Sequence, residues 1–264
     1  MTMHRIGVAI GGTPIRLCTS NAEFAGMLRE RYSGFLTRNN RIACEFEIET
    51  IPPEQITTAE DVTVTRTDTS WIIERGDFQA TWTPQDRRAK IRQTANPYSI
   101  DSALRIVHSL ILATEGGFLL HAASVIRSGK AFIFSGISGA GKTTISRLAP
   151  SNVTLLTDEI SYVRRDGTAY RAYGTPFMGE MAKPGKNVSA PVAAIYLLAQ
   201  APQNRIEDVK PANAVREILR NTLFFAHDSK LVEQVFETML DVVARVPVKR
   251  LSFLPDRAVW DLIA

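Results

Sequence analysis

The sequence predicts an α/β protein: a mixed sheet flanked by helices, preceded by a small β-rich α+β domain. Three observations carry that expectation. Residues 1–95 read mainly as short alternating strands around one amphipathic helix, whereas residues 96–264 alternate strand and helix signals. Hairpins adjoin those later helices, which makes the sheet mixed and not all parallel. With 264 residues, 45% hydrophobic and 22% charged, the chain can bury a sizeable core, and collagen-like, disordered and coiled-coil classes are excluded. A formal net charge of +4 suits phosphate-bearing ligands but is too small to indicate a nucleic-acid binder.

In chain order, Ile6–Ile10 and Ile15–Cys18 flank Gly11-Gly12-Thr13-Pro14, the chemistry of a hairpin. Asn21 to Tyr32 places Phe24, Met27, Leu28 and Tyr32 at helical spacing, with Asn21 as cap. Alternation over Ile42–Ile51, Val62–Arg66, Trp71–Glu74 and Phe78–Trp82 predicts strands, the last two joined by the turn Arg75-Gly76-Asp77. The polar, basic stretch from Pro84 to Pro97 reads as the domain junction. An amphipathic helix over Ser99–Thr114 follows, stopped by Gly116-Gly117. Phe118–Ile126 and Ala131–Phe134 form a hairpin around Ser128-Gly129, and Lys142–Leu148 a helix. Strands are expected at Thr154–Leu156, Ile160–Arg164, Tyr170–Tyr173, Val192–Leu198 and Val248–Leu254. Helices are expected at Pro211–Phe225 and Leu231–Ala244, with a short one closing the chain.

Two cysteines, Cys18 and Cys44, build no disulfide framework and sit in no metal-type cluster. No apolar run approaches the roughly 20 residues that cross a bilayer, and Gly11-Gly12 interrupts the start before a secretory segment forms. A cytoplasmic protein with free thiols and no membrane partner is the expectation.

The chemistry concentrates in one segment. Gly136-Ile137-Ser138-Gly139-Ala140-Gly141-Lys142-Thr143 satisfies GxxxxGK[ST], with Ala131–Phe134 as the strand before it and a helix from Lys142 after it. Glycines let the backbone curl so that several N–H groups share one cavity, and the helix start adds positive potential. Lys142 brings a cation to the outer phosphates, and the Thr143 hydroxyl suits Mg²⁺. Gly136, Ser138, Gly139, Ala140, Gly141, Lys142, Thr143 and Thr144 are the candidate contacts to a nucleotide, which makes the second domain a P-loop nucleotide-binding domain. Leu155-Leu156-Thr157-Asp158-Glu159 then ends an apolar strand in two carboxylates, one helix and one turn beyond Lys142. That spacing returns the acids beside the loop, where a metal needs oxygen ligands and phosphoryl transfer needs a base; a solvated turn pairing with Arg164 is the structural alternative. His121, on the strand paired with the one feeding the loop, either packs in the core or orients Asp158 and touches the phosphoryl group.

The segment from His121 to Glu159 resembles the kinase core of the HPr kinase/phosphorylase family, which shares its P-loop fold with ATP-dependent phosphoenolpyruvate carboxykinases. The likeness rests on His121, the Gly136–Thr143 loop and the Asp158-Glu159 pair, about forty residues, with a looser extension through Gly174-Thr175-Pro176-Phe177-Met178-Gly179-Glu180. It implies ATP and Mg²⁺ as cofactors, Asp158 as base, Glu159 and Thr143 as metal partners, Lys142 on the phosphates and His121 as helper. It also implies a homo-oligomer. The second acid here is Glu159 where the family has Asp, and the family's glycine-rich HPr-binding segment has no counterpart. The expected acceptor is therefore a serine or other hydroxyl on a protein, peptide or small molecule.

An ATP-dependent kinase is thus the leading expectation. A silent ATP-binding scaffold or sensor and a small-metabolite kinase of shikimate or gluconate type are the alternatives. Glu180, Lys183, Lys186 and Arg205 are further polar candidates for the site, while His4, His108 and His227 read as packing or surface residues.

Overall fold

The computed structural model describes residues 2–55 and 61–263. These form a mixed α/β structure with two large sheets and divide into two compact units. The first comprises Met1–Ile111 with Phe224–Val232, and the second comprises Leu112–Leu223 with Glu233–Ala264.

In the first unit, β1 (His4–Ile10) and β2 (Thr13–Thr19) form the expected hairpin, turned by Gly11 and Gly12 at φ of 59° and 73°. Both central residues of such a two-residue turn need positive φ, which glycine adopts without strain. Helix α1 (Ala22–Arg31) starts where the cap predicted it, the Asn21 Oδ1 accepting the Phe24 N–H at 3.0 Å. The sheet continues through β3 (Cys44–Thr50), β4 (Thr63–Arg66), β5 (Trp71–Arg75), β6 (Phe78–Thr83) and β7 (Arg88–Gln93) in the order β1-β2-β3-β7-β6-β5-β4. Cys18 and Cys44 are buried free thiols on β2 and β3.

The basic stretch expected as a junction therefore contains an interior strand, β7, parallel to β3 and antiparallel to β6. Ala89, Ile91 and Gln93 are buried while Arg88, Lys90 and Arg92 face solvent. The period-2 pattern was present, but the basic side chains of the wet face obscured it. The division between units also differs from the expected 95/96, falling inside helix α2 (Pro97–Glu115). The early turns of α2 belong with the first sheet because their polar and aromatic groups find partners there. Asp101, 3% exposed, accepts from Arg31 Nε at 3.1 and 3.2 Å and from the Tyr32 hydroxyl at 2.6 Å. His108 is a packing residue, as expected, stacked on Phe46 at 6.5 Å.

The second unit is built on β8 (Gly117–Arg127) and β9 (Lys130–Ser135), a hairpin, followed by α3 (Lys142–Arg147). Next come β10 (Thr154–Thr157), β11 (Ile160–Asp166), β12 (Ala169–Tyr173), β13 (Ser189–Gln200) and β14 (Arg205–Asp208). The chain closes with α4 (Pro211–Arg220), α5 (Ser229–Arg245), β15 (Val248–Phe253) and a 3-10 turn, Arg257–Leu262. Pairings β8-β9-β13-β12-β11-β8 run in a closed circuit, and β15 joins β13 in parallel. One face packs Leu120, Ala122, Ile133 and Leu197 against Val215 and Ile218 of α4 and Met239 and Val242 of α5. On the other face, Phe132, Phe134, Tyr196 and Phe253 pack against Ile145 and Trp260. Helix α4 stops at Arg220, five residues before the expected Phe225, because the chain turns there to pair with β8: His121 donates to the Asn221 carbonyl and Leu223 to that of Leu119.

Removing Arg31 strands a buried carboxylate, which in comparable sites costs about 3–5 kcal/mol. Arg31→Ala is expected to lose stability on that scale in urea denaturation, and Arg31→Met combined with Asp101→Leu to lose much less.

Candidate functional site

Strand β9 lies between β8 and a parallel neighbour, β13, so the loop that leaves it at Gly136 emerges at the shared carboxyl end of the parallel strands β9 and β13. The loop's shape is dictated by two glycines. Gly139 has φ 79° with open space around a Cβ. Gly141 has φ 106°, and a Cβ there would lie 2.6 Å from the Phe253 ring. Gln200 Nε2 ties the loop to β13 through the Gly139 carbonyl at 2.7 Å. Lys142, buried at the start of α3, donates to the carbonyls of Gly136 at 2.9 Å and Ile137 at 3.2 Å. Burial lowers its pKa from the ordinary lysine value, and the negative charges of Glu180 and Glu159 push it back up.

The acids are positioned by an interruption in the sheet. β10 and β11 run one after the other along the same edge of β8, β10 opposite Ser124–Ile126 and β11 opposite Gly117–His121. Asp158 and Glu159 occupy the gap between them. Thr157 Oγ1 closes that gap by accepting the N–H groups of Glu159 at 3.2 Å and Ile160 at 3.1 Å. The Glu159 carbonyl accepts from Ala122 at 2.9 Å, and Ile160 pairs with His121, which brings the histidine alongside the acids.

Asp158 is only 3% exposed, yet its carboxylate is satisfied: Oδ1 accepts the Gly179 N–H at 3.0 Å and Oδ2 the Met181 N–H at 2.8 Å. These donors come from the segment 174–188, which folds back onto the free edge of β10. Thr175 and Lys186 donate to the carbonyls of Leu156 and Leu155, each at 3.0 Å. The approach is so close that a Cβ at Gly185 would sit 1.6 Å from the Leu156 oxygen, and one at Gly179 2.8 Å from Asp158 Oδ2. Only glycine fits such contacts.

One cavity of about 210 Å³ gathers the predicted set. Its wall contains Ser138, Gly139, Gly141, Lys142, Thr143 and Thr144 of the loop and helix, facing His121, Asp158 and Glu159. Gly136 and Ala140 shape the loop without lining the cavity. Of the weaker candidates, Glu180 joins the wall together with Gly179, whereas Lys183 and Lys186 are exposed outside it. Arg205 stands on β14, paired with Glu207 at 3.1 Å, and is not part of the wall. The sequence reading missed the backbone N–H groups of Gly179 and Met181; the recurrence of Gly174, Gly179 and Gly185 after the acid pair was the available signal. Among the described residues no group of three or more His, Cys, Asp or Glu could hold a metal alone. The oxygens of Thr143 and Glu159 suit instead a hard cation that takes its remaining ligands from phosphate and water, as Mg²⁺ does. Among the same residues, no helix is long and apolar enough to cross a membrane.

The two loop glycines differ in a measurable way. Gly139→Ala meets strain alone, about 1–2 kcal/mol for a left-handed backbone. Gly141→Ala meets strain and the Phe253 ring, so urea denaturation is expected to find it the more destabilised of the two.

A comparison with curated proteins finds no match. Among solved structures the chain is similar to the Hpr(Ser) kinase/phosphatase from Coxiella burnetii at 12% identity, over 45% of this chain and 93% of that one. The TM-score is 0.24, at which the likeness carries no weight. The family model described as SynChlorMet cassette protein ScmC matches residues 88–263, from the start of β7 to just past the final turn, and by that match over more than half its length the chain belongs to the ScmC family.

Proposed function

We propose that this protein is an ATP- and Mg²⁺-dependent phosphotransferase, similar to HPr kinase/phosphorylase in its site, that phosphorylates a hydroxyl on a protein, peptide or small molecule. The observation that carries the reading is convergence. Lys142 and Thr143 of a glycine-rich loop, and His121, Asp158 and Glu159 from a different part of the sheet, line a single cavity of about 210 Å³. Three carboxylates, Asp158, Glu159 and Glu180, share that wall with the ammonium of Lys142. A polyphosphate enters such a wall only with a counter-cation, which supports a metal–nucleotide complex over a bare anion.

Each residue then has a role. Backbone N–H groups of the loop bind phosphate oxygens, and Lys142 exchanges its bonds to the Gly136 and Ile137 carbonyls for bonds to the outer phosphates. Thr143 and Glu159 would hold Mg²⁺, which supplies neutralisation of phosphate charge when bound. Asp158 takes the proton of the acceptor hydroxyl as the hydroxyl oxygen bonds to the γ-phosphorus and the bond from that phosphorus to the β,γ-bridging oxygen breaks, the nucleoside diphosphate leaving with the electron pair. Each Asp158 oxygen accepts one backbone N–H and keeps a further acceptor site, so the group is held in place without being used up. His121, beside the acids, steadies the transferring group. Catalysis comes chiefly from positioning and charge neutralisation.

Incubation with γ-labelled ATP and cell extract tests the assignment. Asp158→Asn is expected to lower label transfer by about 10²-fold or more while nucleotide binding persists. Unchanged transfer in a folded Asp158→Asn protein would falsify the base assignment, and tight ATP binding with no labelled acceptor would favour the silent module.

Lys142 gives a pH test with a definite sign. Its pKa is lowered by burial, so the charge proposed to bind phosphate is lost as pH rises at a point below the ordinary lysine value. With Mg²⁺ present, calorimetric affinity for inorganic tripolyphosphate is expected to fall over that alkaline range in the wild type, and to lose this component in Lys142→Met.

A further inference from the structure

Helix α5 is apolar over more of its surface than its packing uses. Met239, Val242 and Val246 are buried against the sheet, which supplies the single apolar stripe a surface helix needs. Phe236 and Leu240, one turn apart, begin a second stripe and are 47% and 48% exposed. With Val243 they line a groove of about 930 Å³ whose other bank is Val215 and Leu219 of α4. Among the described residues, charge in the wall of this groove comes only from Arg216 and Arg220, again one turn apart and both exposed.

Helix α5 also carries the complement of that wall. Glu233 and Glu237 are exposed and stand three residues before Phe236 and Leu240, so each acid neighbours one of the exposed apolar side chains on the helix surface. Neither acid lines the groove of its own chain. One protomer thus presents an apolar stripe edged by acids beside an apolar groove edged by bases.

We infer that this face is a two-fold interface between two copies of the chain. Each copy lays Phe236 and Leu240 into the other's groove, and its Glu233 and Glu237 meet the other's Arg216 and Arg220. A groove between helices takes a rod with apolar side chains at successive turns, and α5 is such a rod. A two-fold contact must also be self-complementary, and this face both offers and receives the same two features. A bilayer surface fits it less well, because the groove is concave and the two acids would meet anionic headgroups. The inference is independent of the phosphate-binding reading above.

Sedimentation velocity on the full chain tests it. A species of twice the chain's mass is expected to dominate by about 100 μM. Phe236→Asp is expected to weaken association at least about a hundredfold, because symmetry places an unpaired carboxylate in the apolar contact twice. Leu240→Asp is expected to act alike and serves if Phe236→Asp does not fold. Arg216→Glu with Arg220→Glu is expected to weaken association by about tenfold or more, and Glu233→Arg with Glu237→Arg in the same chain to recover most of that loss. A monomer at every concentration, including one that floats with vesicles of anionic lipid, would overturn the interface. So would a dimer that the aspartate variants leave intact, or a loss from the arginine substitutions that the reversed acids deepen.

Discussion

Strand β8 hydrogen-bonds on both edges, and the whole site follows from that. Ala122 pairs with Ser135, the last residue of β9, on one side and donates to Glu159 on the other. Adjacent strands lie about 4.8 Å apart, so the root of the glycine-rich loop and the acid turn are held about 10 Å apart across a single strand. Neither can drift without breaking a ladder most of whose residues are buried. For the phosphoryl transfer proposed above, that rigidity would let positioned charge act without reorganisation. A site on mobile loops would have to order itself each time.

The second constraint is electrostatic. Lys142 and Asp158 are both nearly inaccessible to water, and each is satisfied by backbone: the ammonium by two carbonyls, the carboxylate by two N–H groups. A buried ion without such partners is costly. Backbone partners hold the ions in place while leaving their charges uncancelled, as the proposed binding of a charged ligand would require. The strands' closed circuit and the helices packed on one face keep those backbone groups fixed.

Much of this was legible in the residues. The Gly11-Gly12 hairpin, the Asn21 cap, the β8–β9 hairpin and the strand–loop–helix around Gly136–Thr143 all stand where local chemistry put them. Other features were not. The alternation of β7 was written in Ala89, Ile91 and Gln93, but its basic face resembled a linker, and only pairing with β3 and β6 makes it an interior strand. The end of α4 depends on β8 accepting residues 221–223, which lie about a hundred positions away in sequence. Arg205 was a reasonable cation by composition, yet the β14–β15 pairing places it on an edge strand beside Glu207.

By itself, then, the sequence determined the elements whose cause is local. Positive φ at glycines, caps and short-range periodicity act within a few residues, so they can be read from a few residues. The tertiary structure alone decided how Asp158 is held and that the glycines at 174, 179 and 185 serve a segment laid on β10. Those features are made by hydrogen bonds and close contacts between strands far apart in the chain, and no local pattern encodes which edge a distant segment will find.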